Sequence, residues 1–250
     1  MRTFDRIFIV ATLFSWAVTP YAFAEETKTP EPSKGATVQI TPGTTTVVTA
    51  SAQAGVVIST PVRATMVSIP VEKTTLENLQ AAFNGESNAN ARYLAFAKKA
   101  DEEGYGKIAS LFRAAARAEQ VHFENHTKVI KELGGTPTAK IEIPIVKSTA
   151  ENLKAAFEGE TYESTVMYPE FLVKARKDKN QGAMNTFEDA GKAEAVHAAL
   201  YKKAMQNMSA WKGKGNGFYV CPVCGNVVEK MDFMRCPICD TSKKLFMAVK

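Results

Sequence analysis

A repeated pair of helix-forming segments is the strongest constraint on the fold of this chain. Residues 75–86 match residues 149–160 at nine of twelve positions, and a Glu-x-x-His pattern occurs at 119–122 and again at 194–197. The copies are offset by 74 residues in the first pair and by 75 in the second. A duplicated helix pair predicts a bundle with a pseudo-twofold axis, and a site built from the repeated residues would carry paired ligands on that axis.

Four long helices are predicted between residues 74 and 208, where Ala, Glu, Lys and Leu replace Thr and Pro. Thr74 with Glu77, and Ser148 with Glu151, can form capping boxes, which mark helix starts. Each helix would be about 40 Å long at about 1.5 Å per residue. Long helices with short connections predict an all-α four-helix bundle. The predicted helices cover residues 75–103, 106–133, 149–178 and 182–208.

The first 72 residues are predicted to lie outside the bundle. An apolar run over residues 7–18, followed by Ala22-Phe23-Ala24, is typical of a cleavable secretory signal over residues 1–24. Residues 25–72 are rich in Thr, Pro and Val without helical periodicity, which predicts a disordered tether. We therefore expect an exported, periplasmic protein, and the alternative is a chain tethered to the membrane by an uncleaved N-terminus.

Carboxylates and imidazoles at the repeated positions predict a buried metal centre. Residues at i and i+3 share a helix face, so each Glu-x-x-His pattern presents two ligands together. One Glu from each of two helices, with a Glu-x-x-His from each of the other two, is the ligand set of carboxylate-bridged di-iron and di-manganese bundles. Without cations, such carboxylates would lose solvation at several kcal/mol per ion. The predicted ligands are Glu86, Glu119, His122, Glu160, Glu194 and His197.

Two further residues extend this pattern in one half only. Glu163 follows Glu160 by three residues, whereas the equivalent position in the first half is Ala89. Glu163 is therefore an additional candidate ligand that only one metal could use. His126 lies four residues after His122; it could line the edge of the site, but we expect it on a solvated helix face.

All four cysteines lie in the last thirty residues, in two Cys-x-x-Cys pairs separated by eleven residues. This spacing is typical of a tetrahedral four-thiolate site for zinc or a single iron. The segment is too short to fold on an apolar core, so its fold should depend on metal. Disulfides are the alternative in an oxidising compartment. Residues 209–217, with three glycines, are expected to be a flexible hinge. The candidate ligands are Cys221, Cys224, Cys236 and Cys239.

From about residue 74 to residue 250, roughly 70% of its length, the chain resembles rubrerythrin. The order of modules, a carboxylate bundle followed by two cysteine pairs, is itself specific. The resemblance implies a ferritin-like di-iron domain over residues 73–208 and a rubredoxin-like domain over residues 218–250. The motifs that carry it are Gly85-Glu86-Ser87, Glu119-x-x-His122, Gly159-Glu160-x-x-Glu163, Met167-Tyr168-Pro169 and Glu194-x-x-His197.

The resemblance also implies roles for the repeated ligands. Glu119 and Glu194 would bridge two iron ions. Glu160 and His197 would complete the site of one of these irons. These four residues would therefore hold the half of the centre whose ligands do not change.

The second iron site would be the variable one. Glu86 would hold this iron, with Glu163 and His122 as alternative ligands in its oxidised and reduced states. Tyr93 and Tyr168 match tyrosines that hydrogen-bond near the centre in this family. The four cysteines would hold one redox-active iron, although zinc is possible there.

The activity implied by the resemblance is the reduction of hydrogen peroxide to water, with electrons returned one at a time through the four-cysteine iron. A bundle about 40 Å long would separate the two sites, and the family solves this with head-to-tail homodimers, which we also expect here. Outside the cytosol, nicotinamide donors would be absent, so the redox partner that supplies electrons stays unidentified. Asp240 stands where a rubredoxin-like pair usually has Gly, which is expected to alter amide hydrogen bonds to sulfur.

Two other classes of function are open at this point. The first is a ferroxidase or iron-handling protein, although storage shells do not need an electron-transfer iron. The second is a non-catalytic binding protein with a zinc ribbon. Iron in the cysteine site would argue against this second class. The formal net charge of +5, with 31 basic and 26 acidic residues scattered along the chain, predicts no nucleic-acid partner.

Overall fold

The computed structural model describes residues 72–215 and 217–250. The predicted signal segment and the predicted tether, apart from Glu72, lie outside these residues. Within the described part of the chain, none of the helices combines the length and the apolar composition that crossing a membrane requires.

Four helical rods form the bundle and begin where the caps predict. Thr74 and Ser148 accept hydrogen bonds from the backbone N–H groups of Glu77 and Glu151, and both capping boxes are closed. The predicted four-helix bundle is confirmed. The rods are α1 (Thr75–Glu102), α2 (Gly106–Glu132), a third rod made of α3 (Thr149–Tyr162), a π turn (Glu163–Met167) and α4 (Tyr168–Lys177), and finally α5 (Gln181–Gln206).

The π turn accommodates one extra residue in the third rod. The three parts of this rod have 14, 5 and 10 residues, one more in all than the 28 of α1. At the first residue of the π turn, Glu163 aligns with Ala89 at an offset of 74; after the turn, Tyr168 aligns with Tyr93 at an offset of 75. A π turn, with i→i+5 hydrogen bonds, absorbs such an insertion. It also leaves Pro169 in the first turn of α4, where proline is tolerated.

Two apolar clusters fill the bundle, one on each side of a buried polar layer. One cluster includes the rings of Tyr93, Phe112 and Tyr201, which pack against one another at tilted angles. The other packs Tyr168 against Phe187. Because the rings on either side are fully buried, the polar layer between them is closed to bulk water within the bundle.

A small three-stranded sheet forms the C-terminal unit, which we call the cysteine module (residues 218–250). Strands β1 (Phe218–Val220), β2 (Val227–Val228) and β3 (Met247–Val249) are antiparallel in the order β2-β1-β3. In this register Tyr219 lies opposite both Val228 and Ala248. The predicted small cysteine-bearing unit after the bundle is confirmed.

In the connector between bundle and module, residues 208–213 pack against the bundle, although we expected a flexible hinge over residues 209–217. A 3-10 turn (Met208–Trp211) buries the Trp211 side chain, and the Lys107 ammonium lies 4.1 Å from the centre of its ring. The Gly213 N–H donates to the Gly104 carbonyl at 2.9 Å. The connector therefore holds the cysteine module against the side of the bundle.

Candidate metal centre

The repeated acidic and imidazole side chains meet in one buried cluster, which we call the carboxylate cluster. Its six members are at most 1% exposed. They form two groups in which the potential ligand atoms all lie within 4.8 Å of one another, and both groups share Glu119 and Glu194. The structure thus offers two adjacent metal positions with two shared carboxylates. The groups are Glu86, Glu119, His122 and Glu194, and Glu119, Glu160, Glu194 and His197.

The histidine hydrogen bonds show which ring nitrogens face this cluster. His122 Nε2 lies 3.0 Å from the Cys224 carbonyl oxygen and His197 Nε2 lies 3.1 Å from that of Gly225. A carbonyl only accepts, so each Nε2 carries a hydrogen. In the neutral form that binds a metal, each ring therefore presents a lone pair at Nδ1. Those Nδ1 atoms lie 2.8 and 2.7 Å from the two carboxylate oxygens of Glu194. Acceptors that face each other so closely fit a cation between them.

Buried carboxylate oxygens without partners support the same assignment. Five carboxylate oxygens of the cluster accept no hydrogen bond from any described residue, although buried polar atoms are normally paired. Hard carboxylate oxygens together with imidazole nitrogen suit iron or manganese, so the residues present fit the predicted pair of metal ions. The unpartnered oxygens are Glu86 Oε2, Glu119 Oε1, Glu160 Oε2, Glu194 Oε1 and Glu194 Oε2.

The electrostatics of the cluster also favour cations. Burial, and then the neighbouring Glu163 carboxylate, raise the pKa of Glu86 well above its usual range. Burial opposes the charged form of His122 and of His197. The neighbouring carboxylates together outweigh burial, so the pKa of each imidazole is raised; they are Glu194 and Glu119 for His122, and Glu194 and Glu160 for His197. Metal ions would replace these protons as the source of positive charge.

Glu163 is buried beside the cluster but belongs to neither of the two ligand groups. It is the first residue of the π turn. Burial and the Glu160 carboxylate raise its pKa, whereas the Arg92 guanidinium acts in the opposite direction. The structure therefore brings this predicted ligand to the edge of the centre, within electrostatic reach of Glu86 and Glu160.

Two tyrosines fix the outer carboxylates in equivalent ways. The Tyr93 hydroxyl donates to Glu160 Oε1 at 2.7 Å, and the Tyr168 hydroxyl donates to Glu86 Oε1. In each pair the other carboxylate oxygen is left free for a metal. Burial raises the pKa of both phenols well above the usual value, so each hydroxyl stays a donor.

The expectation that His126 lies on a solvated face is wrong. Its side chain is fully buried, with Nε2 3.0 Å from the Tyr168 hydroxyl and Nδ1 3.0 Å from Thr186 Oγ1. Burial lowers its pKa to about 3, so the ring is neutral. The signal in the sequence was its spacing, because residues four apart share a helix face and the preceding His122 faces the core.

The four cysteine sulfurs converge at the tip of the cysteine module without forming a disulfide. All four Sγ atoms lie within 4.8 Å of one another. The Sγ–Sγ distances are 3.5 Å for Cys221 with Cys239 and 3.5 Å for Cys224 with Cys236, which suits a tetrahedral thiolate site. Hydrogen bonding from Cys224 lowers the pKa of Cys221 to about 5, so one thiolate is available for a metal near neutral pH.

Asp240 keeps the backbone of the turn despite replacing the usual Gly. Its φ is 61°, close to the 75° of Gly225 at the equivalent position of the first pair. The Asp240 N–H donates to Cys236 O at 3.0 Å, as the Gly225 N–H donates to Cys221 O at 3.1 Å. Asp is one of the few residues that adopt this conformation, so the backbone of the turn is the same in both cysteine pairs. The expected change in amide hydrogen bonds to sulfur stays a prediction.

The cysteine module docks directly on the carboxylate cluster of its own chain, which was not expected from the sequence. The two carbonyls that accept from His122 and His197 belong to the first cysteine pair and to the residue that follows it. Asn125 Nδ2 donates to Val223 O at 2.8 Å, and Lys107 Nζ lies 2.8 Å from Glu229 Oε1. A Cβ on Gly225 would lie 2.2 Å from His122 Nε2, so the contact requires glycine.

Comparison with known proteins agrees with this architecture. The rubrerythrin family model matches residues 77–205. Nigerythrin from Nitratidesulfovibrio vulgaris is 40% identical over 176 residues, covering 70% of this chain and 86% of the relative. Rubrerythrin-2 from Clostridium acetobutylicum is 35% identical, covering 70% and 96%. The solved structure of fully reduced, all-ferrous nigerythrin superposes with a TM-score of 0.66 at 39% identity, covering 75% of this chain and 91% of that one.

Proposed function

The chain belongs to the rubrerythrin family, and from this premise we propose that it is a non-haem di-iron peroxidase that reduces hydrogen peroxide to water. The observation that carries the proposal is the direct contact between the cysteine module and both cluster histidines. An iron store has no need of a thiolate site docked on its metal ligands. A peroxidase needs one, because each turnover takes two electrons that must be replaced.

The residues that would hold the irons are those of the two ligand groups and the four cysteines. When bound, the irons supply the redox chemistry: two electrons and two protons convert one hydrogen peroxide to two waters, and the four-cysteine site passes on replacement electrons singly. The remaining work falls to protein groups. Tyr93 and Tyr168 hold the outer carboxylates in place, and the flanking aromatic clusters keep bulk water out.

Glu163 and His122 are proposed as alternative ligands on the Glu86 side of the centre. Glu163 is the first residue of the π turn, and its carboxylate is close enough to Glu86 to raise the pKa of Glu86. His122 Nδ1 already points at the cluster from the opposite helix. The other half of the centre has no counterpart to Glu163, because Ala89 takes its place.

A short path joins the cysteine site to the cluster. It runs along the Cys224 residue from its sulfur to its carbonyl oxygen, crosses the hydrogen bond to His122 Nε2, and ends at His122 Nδ1. We propose this path for electrons. Because this path lies within one chain, electron transfer along it needs no second chain. In the expected head-to-tail dimer, the same path would form between chains if the two chains exchanged their cysteine modules. A mixture of Glu119→Ala and Cys221→Ser chains, refolded together, regains turnover only if modules are exchanged.

Export remains a proposal, supported by the sequence of residues 1–24. Terminal sequencing of the protein from fractionated cells tests it. A periplasmic chain that begins at Glu25 supports cleavage. A membrane-bound chain that retains Met1 supports the uncleaved anchor, and a cytosolic chain contradicts both.

The central experiment uses the chain as purified from cells, after its metals have been measured. The anaerobically reduced protein receives one equivalent of hydrogen peroxide while the ferric-thiolate absorption is followed. Peroxide consumption with rapid return of that colour supports the peroxidase. Ferrous iron oxidised and retained beyond three ions per chain, with slow peroxide consumption, supports the alternative ferroxidase or iron-handling role. A bacterioferritin with a di-iron site shares the bundle, with a TM-score of 0.51 at 25% identity.

A further inference from the structure

One fully buried polar residue has no role in the metal cluster itself. His126 is 0% exposed and is not a member of either ligand group. Its two ring nitrogens bond to Tyr168 and to Thr186, which is 8% exposed. Since Tyr168 bonds to Glu86, these residues form one continuous chain of hydrogen bonds. It begins at α5, crosses α2 and α4, and ends on a carboxylate of the cluster.

The donors in this chain can be assigned from chemistry. When Glu86 holds a metal ion it is ionised and only accepts. The single hydroxyl hydrogen of Tyr168 then points at Glu86, and the Tyr168 oxygen must accept from His126 Nε2. A neutral imidazole has one N–H, so His126 Nδ1 is an acceptor and Thr186 Oγ1 donates to it. Every donor therefore points toward Glu86. His126 also keeps the Tyr168 hydroxyl hydrogen directed at Glu86. If that hydrogen turned toward His126, it would meet the Nε2–H group, which cannot accept a hydrogen bond.

The other half of the bundle lacks this arrangement. Seventy-five residues after His126 lies Tyr201, and seventy-five before Thr186 lies Leu111. The Tyr201 hydroxyl is buried and has no hydrogen-bond partner among the described residues. Tyr93, which donates to Glu160, therefore packs against apolar and aromatic side chains. Tyr168, which donates to Glu86, is itself hydrogen-bonded to His126.

We propose that His126 is a positioning residue that fixes the Tyr168 hydroxyl on Glu86 and thereby strengthens metal binding at the Glu86 side of the centre. The inference deepens the proposed di-iron function. It gives a role to the longer chain of hydrogen bonds behind Glu86, which is the outer carboxylate on the side proposed for the alternative ligand Glu163. An outer residue that orients a ligand typically contributes 10- to 100-fold to metal affinity. Because His126 acts through Tyr168, the lower end of that range, about tenfold, is expected.

The test measures binding of Mn²⁺ alone to the full chain after chelation, by calorimetry and by the spin-resonance signal of the bound ion. We expect His126→Leu to weaken one of the two bundle sites about tenfold and to leave the other unchanged. His126→Gln, which keeps a donor and an acceptor, should restore most of the affinity. Tyr201→Phe is the matched control at the equivalent position and should change neither site.

Unchanged affinity at both sites in His126→Leu would overturn the proposal. Equal weakening by His126→Leu and His126→Gln would also overturn it, because a loss of packing would then explain the effect. If His126→Leu does not fold by circular dichroism, Thr186→Val removes the outermost donor without changing shape and should weaken the same site by about threefold. Mn²⁺ binding does not depend on peroxide turnover, so an inactive wild-type chain would contradict the peroxidase and leave this test valid.

Discussion

Replacing Gly225 by Ala should separate the cysteine module from the carboxylate cluster. The added Cβ would lie 2.2 Å from His122 Nε2 and 2.9 Å from its Cδ2. The imidazole is fully buried and cannot retreat, so the loop must move by about 1 Å to reach ordinary contact distances. That movement breaks the hydrogen bonds from His122 to Cys224 O and from His197 to Gly225 O.

The magnitude follows from those two bonds. Each contributes about 0.5–1.5 kcal/mol when made, and a buried donor left unpaired costs about 1–3 kcal/mol. A net loss of about 2–3 kcal/mol in docking free energy is therefore expected, equivalent to about 30- to 150-fold at 1.4 kcal/mol per factor of ten. Alanine at the φ of 75° found here adds about 1–2 kcal/mol of backbone strain.

Gly213→Ala is the matched control, because Gly213 has a φ of 77° and its added Cβ would meet nothing within 4 Å. It should carry the backbone strain without the clash. The assay is native-state hydrogen exchange of residues 218–228, with return of the ferric-thiolate colour after peroxide as a second readout. Protection should be about 30- to 150-fold lower in Gly225→Ala than in Gly213→Ala, and colour should return more slowly. Equal protection in both variants would refute the claim that the histidine contacts hold the module.

Three further predictions concern the ligands. Glu163→Ala should keep the fold and the iron content but slow peroxide turnover by about 10- to 100-fold; undiminished turnover at full iron occupancy, measured side by side with the wild type, would contradict the role of Glu163 as an alternative ligand. Cys221→Ser should permit a single reaction with peroxide and block re-reduction, and repeated turnovers with the same electron donor would exclude the proposed relay. After a chelator has removed the metals, the pKa values of Glu86 and Glu163 in the folded chain are raised above those in the unfolded chain. The contribution of these two groups to the free energy of unfolding is therefore present below about pH 4.5, and it is lost as the pH rises through the folded-state pKa values. The melting temperature of the metal-free chain should therefore fall as pH rises above about 4.5, and a melting temperature that rose instead would contradict the raised values.

The convergence of the candidate ligands was predictable because it depends on local spacing. Glu119 with His122, and Glu194 with His197, share helix faces by the i, i+3 rule. Their repetition with Glu86 in the same frame made burial the expected arrangement. Each of these residues lies in the carboxylate cluster, although one helix alone would not have distinguished a ligand face from a solvated one.

The surroundings of the site were less accessible from the sequence. The burial of His126 depends on Tyr168 and Thr186, which come from two other helices, and no spacing within α2 contains that information. The docking of the cysteine module depends on the path of the connector. Gly213 bonds to Gly104 and Trp211 is buried, and these long-range contacts replace the flexibility that the glycines predicted.

The π turn lets the two halves of the repeated bundle differ in the middle of one helix without losing their common alignment at its ends. In a regular helix, one inserted residue rotates everything beyond it by about 100°. Such a rotation would have carried Tyr168 away from Glu86. By confining the surplus residue to Glu163–Met167, the third rod keeps both its ends in phase with α1 and changes only its middle. Deletion of one residue from that segment would leave a regular helix with the 28 residues of α1, in which Glu163 still aligns with Ala89. The extra carboxylate and the extra residue are therefore separate changes in the third rod.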